Sequence, residues 1–427
     1  MTKQEFWENY SAILREELLP ATGCTEPIAI AYCAAKLREL LGALPERVEA
    51  TLSGNIIKNV KSVVVPNTGG RKGIRPAIAA GLLAGDASRE LQVISVITDE
   101  QLTALDAYLE QTQISITCSE SPCRLDICLR GFAGTHSGCV RITNHHTNVI
   151  YIERDGACLI NLPAVDAAEE YRTDKSCLNV EGIVRFADSA DLTGLKPLLA
   201  RQVAYNSAIA DEGLNGTWGA QIGKILMEDY GEDIKQRAKA YAAAGSDARM
   251  SGCDMPVVIL SGSGNQGITA CMPVVVYARH IGASEEQLYR ALLVADLITL
   301  HQKSGIGRLS AYCGAISAGV GAGAGVCYLL GGDYRAVAHT VVNAVAILSG
   351  TICDGAKPSC AAKIAAAVDA GILGYRMYLH HREFVSGEGI VASSVDDTIA
   401  NVGKLARQGM CQTDTTILQI MQGGDCL

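Results

Sequence analysis

The chain of 427 residues is longer than the roughly 250–300 residues that a single hydrophobic core usually serves, so two domains are expected. With 36 Lys and Arg against 45 Asp and Glu it carries a formal charge of −9 and no basic run longer than Arg71-Lys72, which excludes a nucleic-acid partner held by a cationic face. Sixteen cysteines in so long a chain read as free thiols or metal ligands in a reducing compartment, not as a disulfide scaffold.

In chain order, the opening MTKQEFWENYSAILREELL places Phe6, Tyr10, Ile13, Leu14 and Leu18 on one helical stripe with charges between them. A secretory signal would carry an unbroken apolar run instead, so a cytoplasmic location is expected. A second helix follows Leu19-Pro-Ala-Thr-Gly-Cys-Thr-Glu-Pro27, where Thr25 can cap and Pro27 can occupy the first turn. Cys24 then sits at a helix N-terminus, whose positive end would lower its pKa and make a thiolate base or nucleophile. A buried cap residue is the equally open alternative.

From Arg47 to Leu162 β-rich runs dominate: VEATLSG (48–54), SVVVP (62–66), LQVISVI (91–97), ISITC (114–118), LDICLRG (125–131), VRIT (140–143), NVIYIE (148–153) and ACLINL (157–162). Helices are expected near 74–84 and 99–110. Polar clusters punctuate these runs at Ser53-Gly-Asn55-Ile-Ile-Lys58-Asn59, Pro66-Asn-Thr68-Gly-Gly70 and His145-His146-Thr-Asn148. They read as turns, in which Lys58 can pair with a carboxylate and His146 can hydrogen-bond or move a proton; solvated loop side chains are the ordinary alternative.

The polar residues Asp166, Glu169, Glu170, Arg172, Asp174 and Lys175 mark a change of composition between Leu162 and Val184. Helical patterns then take over at 194–210, 217–244, 268–281, 285–300, 334–348 and 361–379. The fold class is therefore α+β: an N-terminal α/β sheet domain (1–180) followed by a mostly helical domain (181–427).

Two stretches, Met255–Ala278 and Leu309–Gly332, hold no charged residue. Ser261-Gly-Ser-Gly-Asn-Gln-Gly267 breaks the first, and Gly314, Gly319, Gly321, Gly323 and Gly325 dilute the second, so buried helices are expected and a membrane permease is the weaker alternative. The literal G-x-G-x-x-G of Gly262–Gly267 follows the apolar Val257–Leu260, but the βαβ alternation of a dinucleotide fold is missing. A helix N-terminal nest for a substrate carboxylate, presented by Ser263, Asn265 and Gln266, is the better reading.

Cys313 opens a Gly-rich helix, and Cys353-Asp-Gly-Ala-Lys-Pro-Ser-Cys360 is a tight loop between helices. Three thiolates converging on one metal centre would leave it an open position, suited to Lewis-acid chemistry. Three buried structural thiols are the alternative, because neither C-x2-C nor ferredoxin spacing is present.

The ordered motifs GCTEP (23–27), SGN-x-x-KN (53–59), VP-x-TG (65–69), HTN (146–148), SDARM (246–250), SGSGNQGITA (261–270), RLSAYC (308–313), ICDGAKPSC (352–360), GEGIV (387–391) and TD (413–414) span nearly the whole chain. In these the chain resembles the L-cysteine desulfidases, distant relatives of the iron–sulphur L-serine dehydratases. The resemblance implies a 4Fe-4S cluster on Cys313, Cys353 and Cys360, Cys24 as proton acceptor, and no pyridoxal phosphate. It implies conversion of L-cysteine to pyruvate, ammonia and hydrogen sulphide by α-proton abstraction and β-elimination, with an open cluster iron as Lewis acid. Substrate-binding candidates within the motifs are Thr25, Glu26, Asn55, Lys58, Asn59, Thr68, His146, Ser263, Asn265 and Gln266. The serine dehydratases carry Ser-His-Thr where this chain has Gly23-Cys24-Thr25 and a longer loop between the last two cluster cysteines, which favours the desulfidase branch; L-serine dehydration is the alternative. In those relatives a C-terminal cysteine can occupy the fourth iron, a role open here to Cys426. A small amino-acid substrate and a homodimer are the partners expected, with neither nucleic acid nor membrane.

Overall fold

A computed structural model describes residues 3–164 and 173–422. Its six-stranded sheet runs in the order Gln113–Cys118, Arg47–Leu52, Asp126–Ala133, His136–Thr143, Val149–Arg154, Ala157–Asn161. Only the first pair is parallel; the others are antiparallel neighbours. One face is apolar by alternation, Val48, Ala50 and Leu52 on one strand and Ile127 and Leu129 on the next being buried. The Thr25–Leu41 helix packs on this part of the sheet, with Cys33 Sγ 3.4 Å from the carbonyl of Val140.

After residue 180 the described chain is almost entirely helical. The expected helix over 217–244 is broken at Gly231–Asp233 into Ile222–Tyr230 and Ile234–Met250, because Asp233 accepts a hydrogen bond from the Gln236 amide and caps the second piece. Both uncharged stretches end in helices, Gly264–Ile281 and Gly314–Leu329, that are buried over most of their length. Burial on all sides accounts for their lack of charge. No described helix is long and apolar enough to cross a membrane, and the permease alternative has no support.

Three local expectations fail. SVVVP and LQVISVI are not strands: the first contributes a single bridge, Val64 to Lys72, and the second passes from the 3-10 turn Ala87–Gln92 into irregular chain. Val63, Val65, Val93 and Ile94 are nevertheless buried, so their apolar character records burial without pairing. The cluster at 53–59 is not a turn but the short helix Gly54–Val60. Thr25 is not the cap of its helix; Cys24 holds that position, and Thr25 Oγ1 instead donates to the carbonyl of Gly262 at 2.8 Å.

The two halves share one buried cluster of apolar side chains running from Tyr10 to Met410. Two further contacts tie them. A two-stranded antiparallel ribbon pairs Pro20–Thr22 with Pro256–Val258, setting the GCTEP turn beside the start of the Gly264–Ile281 helix. From the polar segment near the expected boundary, Lys175 is buried in an ion pair with Glu17; Asp166, Glu169, Glu170 and Arg172 lie outside the described residues.

The Gly314–Leu329 and Cys360–Leu379 helices cross with their backbones in contact. A Cβ at Gly371 would lie 2.1 Å from the carbonyl oxygen of Gly319, so no side chain fits between them. Gly371→Val should therefore lower stability by about 3 kcal/mol through overpacking, read as a shifted urea midpoint. Gly350→Ala, at an exposed glycine where a Cβ would have no atom within 4 Å, should change it by less than about 0.5 kcal/mol.

Candidate active site

Four helices begin at the wall of one cavity of about 100 Å³: Thr25–Leu41, Gly264–Ile281, Gly314–Leu329 and Cys360–Leu379. Their caps are Cys24, Ser263, Cys313 and Ser359, and none of these side chains bonds back to its own helix. Each helix start leaves up to about four amide N–H groups without an intrahelical acceptor, so the positive ends of four macrodipoles meet in one small volume.

Cys313, Cys353 and Cys360 all face this cavity. A short bridge from Tyr312 to Ile352 holds the first two together, the amide of Cys313 donating to Thr351 and that of Cys353 to Ala311. Cys360 joins them as the first residue of its helix. Burial, and next the nearby Cys353, push the Cys313 thiol up to about 12, and burial raises Cys360 as well. Such thiols gain from a cationic centre that draws off their protons, so the donor set fits an iron–sulphur group. Among the described residues, no three His, Cys, Asp or Glu side chains are arranged to hold a metal ion. The fit is therefore one of donor chemistry and shared cavity alone.

Cys24 lines the same cavity and packs against Met250 and Cys360. The expectation that its helix N-terminus would lower its pKa is not met: burial pushes the thiol up to about 12, against the pull of Arg249. Arg249 itself is fixed by Nε donating to the Gly23 carbonyl at 3.1 Å and Nη1 donating to Asn265 Oδ1 at 3.0 Å. With Lys303, Arg308 and Lys363 it makes the lining strongly cationic, Glu26 being the one carboxylate among the lining residues.

Of the residues singled out from sequence, the cavity brings together Cys24, Glu26, Asn59, Ser263, Asn265, Gln266 and the three metal candidates. Asn59 Nδ2 donates to Glu26 Oε1 at 3.0 Å. Asn59 Oδ1 and Gln266 Oε1 are buried without a hydrogen-bond partner, as acceptors facing a polar ligand would be. Thr25, Asn55, Lys58, Thr68 and His146 do not line it. Thr68 is buried and donates to Val65 O at 2.7 Å within its own loop, a structural role. Lys58 lies behind Cys353, bonded to that residue's carbonyl and to Asp414. His146 lines a separate cavity, where burial holds it neutral with a pKa lowered to about 4. Cys426 lies outside the described residues.

Sequence reasoning about sites missed Arg249, Lys303, Arg308, Tyr312 and Lys363, which also line the cavity. SDARM and RLSAYC contain three of them, so treating those motifs as sources of cations would have found Arg249 and Arg308. Lys303 lies in a helix with no local motif.

Residues 88–419 match the family model of the serine dehydratase alpha chain. Over 422 residues the chain is 53% identical to a UPF0597 protein of Desulfitobacterium hafniense, covering 99% of this chain and 98% of that one. UPF0597 proteins of Lachnoclostridium phytofermentans (46%; 96% and 98% covered) and Treponema denticola (43%; 97% of each) are similar along their full lengths. The family model begins after Cys24, so the GCTEP turn lies outside the matched stretch.

Behind the cavity, Arg308 Nη2 donates to Glu17 Oε1 at 2.8 Å, and Lys175 pairs with the same oxygen. Burial alone would raise the Glu17 carboxyl, but Arg308 and then Lys175 outweigh it and hold the carboxyl below its ordinary value. This contribution to stability is fully present above the unfolded carboxylate value of about 4.3 and is lost as pH falls through the lower folded value. Glu17→Gln, which leaves the buried Lys175 and the partly buried Arg308 without their carboxylate, should cost about 3–5 kcal/mol at pH 7. Melting temperatures taken from pH 7 down to pH 3 should show a shallower acid loss for this variant than for the parent.

Proposed function

The chain belongs to the serine dehydratase alpha-chain family, and from that premise we propose that it is a lyase acting on L-cysteine, with Cys313, Cys353 and Cys360 holding a 4Fe-4S cluster. The observation that carries this reading is one cavity in which three thiols, a fourth thiol at a helix N-terminus and several cations meet.

The side chains divide the work by chemistry. The substrate carboxylate suits the amide N–H groups at the start of the Gly264–Ile281 helix together with Arg249 and Arg308. Asn59 Oδ1 and Gln266 Oε1, buried acceptors without partners, suit the ammonium group. Held at both ends, the amino acid can turn its Cα–H toward Cys24; burial keeps that thiol neutral in the protein alone, so to take the α-proton it must first give up its own, a loss the Arg249 guanidinium favours. A cluster held by Cys313, Cys353 and Cys360 would supply Lewis acidity toward the departing β-sulphur. Loss of the proton and of sulphide leaves aminoacrylate, whose imine form adds water and releases pyruvate and ammonia. Lysines and arginines close around the cavity, so the negative charge that develops is met by groups already in place.

Gly23-Cys24-Thr25, where serine dehydratases have Ser-His-Thr, supports L-cysteine over L-serine. Protein purified without oxygen should contain iron and acid-labile sulphide and should release sulphide from L-cysteine faster than it forms pyruvate from L-serine. Faster turnover of serine would move the assignment to L-serine dehydration, and an active protein free of iron would end the cluster reading. Cys353→Ala should lose iron and turnover together, whereas Cys24→Ala should retain iron and lose turnover by at least about 100-fold, the ordinary scale of a missing proton acceptor.

A further inference from the structure

We infer that Lys58 is a positioning residue for Cys353 and that Asp414 holds Lys58 in place, so that the Cys411–Gln422 helix latches the cysteine loop from outside the cavity. The Lys58 ammonium is buried and donates to Asp414 Oδ1 at 2.5 Å and to the carbonyl oxygen of Cys353 at 3.3 Å. The same loop rests on Lys58 a second time: Gly355, at φ +97°, turns so closely over it that a Cβ there would lie 2.4 Å from the Lys58 carbonyl. Two points of the loop between Cys353 and Cys360 are thus set by one residue of the Gly54–Val60 helix.

The terminal helix reaches that short helix through Lys58–Asp414, through Lys61 Nζ donating to the Met421 carbonyl at 2.7 Å, and through Leu418 over Gly54. Few apolar groups hold it otherwise. Ile417 is the buried side chain among those described on this helix, while Ile420 is 71% exposed. Hydrophobic burial contributes little, so the polar anchors decide whether the helix stays docked. A buried ammonium stripped of its carboxylate must find water or move, and moving takes it from the Cys353 carbonyl. The pair also joins SGN-x-x-KN to TD, two motifs whose Lys58 and Asp414 the cavity itself does not use.

The inference rests on Cys353 being a cluster ligand, and two measurements separate its failure from the failure of that reading. In metal-free full-length protein, Asp414→Asn should speed amide hydrogen exchange across residues 352–360 and leave distant helices unchanged, whereas Gln419→Ala on the exposed side of the same helix should leave both unchanged. Wild-type exchange across 352–360 in Asp414→Asn overturns the latch whatever the metal does. In iron-loaded protein held at a temperature where both forms stay folded, Asp414→Asn should release iron to a chelator about tenfold faster than wild type, the usual scale for a lost supporting contact behind a metal ligand. Lys58→Met should do the same and the double variant no more, because both substitutions cut one connection. Release at the wild-type rate, or effects that multiply, overturns the positioning role. Wild-type protein that takes up no iron overturns the metal reading and leaves the latch to be judged by exchange alone.

Discussion

Everything at the site depends on four helices starting at one point. Helix N-termini are usually spread over a protein surface, where side-chain caps and water satisfy their amides. Here the caps Cys24, Ser263 and Cys313 make no side-chain bond to the amides of their own helices, while at the fourth start the Cys360 and Ala361 amides donate to Lys357 and Pro358; Arg249, Lys303, Arg308 and Lys363 add full charges to the same space. A volume so positive selects for thiolates and carboxylates. It also repels itself, and the buried Glu17 carboxylate, bonded to Arg308 and Lys175 from behind, offsets part of that repulsion.

Bringing the helix starts together constrains the rest of the fold. The Gly314–Leu329 and Cys360–Leu379 helices converge because glycines at their crossing let the backbones touch, which sets Cys313 and Cys360 on one wall. The Pro20–Thr22 ribbon pairing with Pro256–Val258 does the same for Cys24 and Ser263, although these residues are more than two hundred positions apart. The sheet holds no residue of the cavity lining; its part is to give the Thr25–Leu41 helix a surface to pack on.

Two effects compete at the thiols. Proximity to helix N-termini favours the anion, and removal from water favours the neutral thiol. Burial wins at Cys24 and Cys313 in the protein alone, where each is pushed up to about 12. Thiolate chemistry in this cavity therefore needs positive charge beyond the helix ends, which the cations of the lining supply in part and the proposed cluster would add to.

By itself the sequence determined the α+β division, most of the helices and strands, and a set of motif residues that does meet in one cavity. It could do so because amphipathic period, Gly and Pro placement and the Cys-containing loops are local signals. It misplaced SVVVP and LQVISVI, since burial and strand pairing leave the same apolar run, and it read the Gly54–Val60 helix as a turn because seven residues carry too little periodicity. Tertiary structure alone decided which motif residues face the cavity. Asn59 does and Lys58, its neighbour, does not, since successive residues on a helix point about 100° apart. It also decided the pKa of Cys24, because the sequence locates a helix end but not the depth at which that end is buried, and desolvation grows with depth.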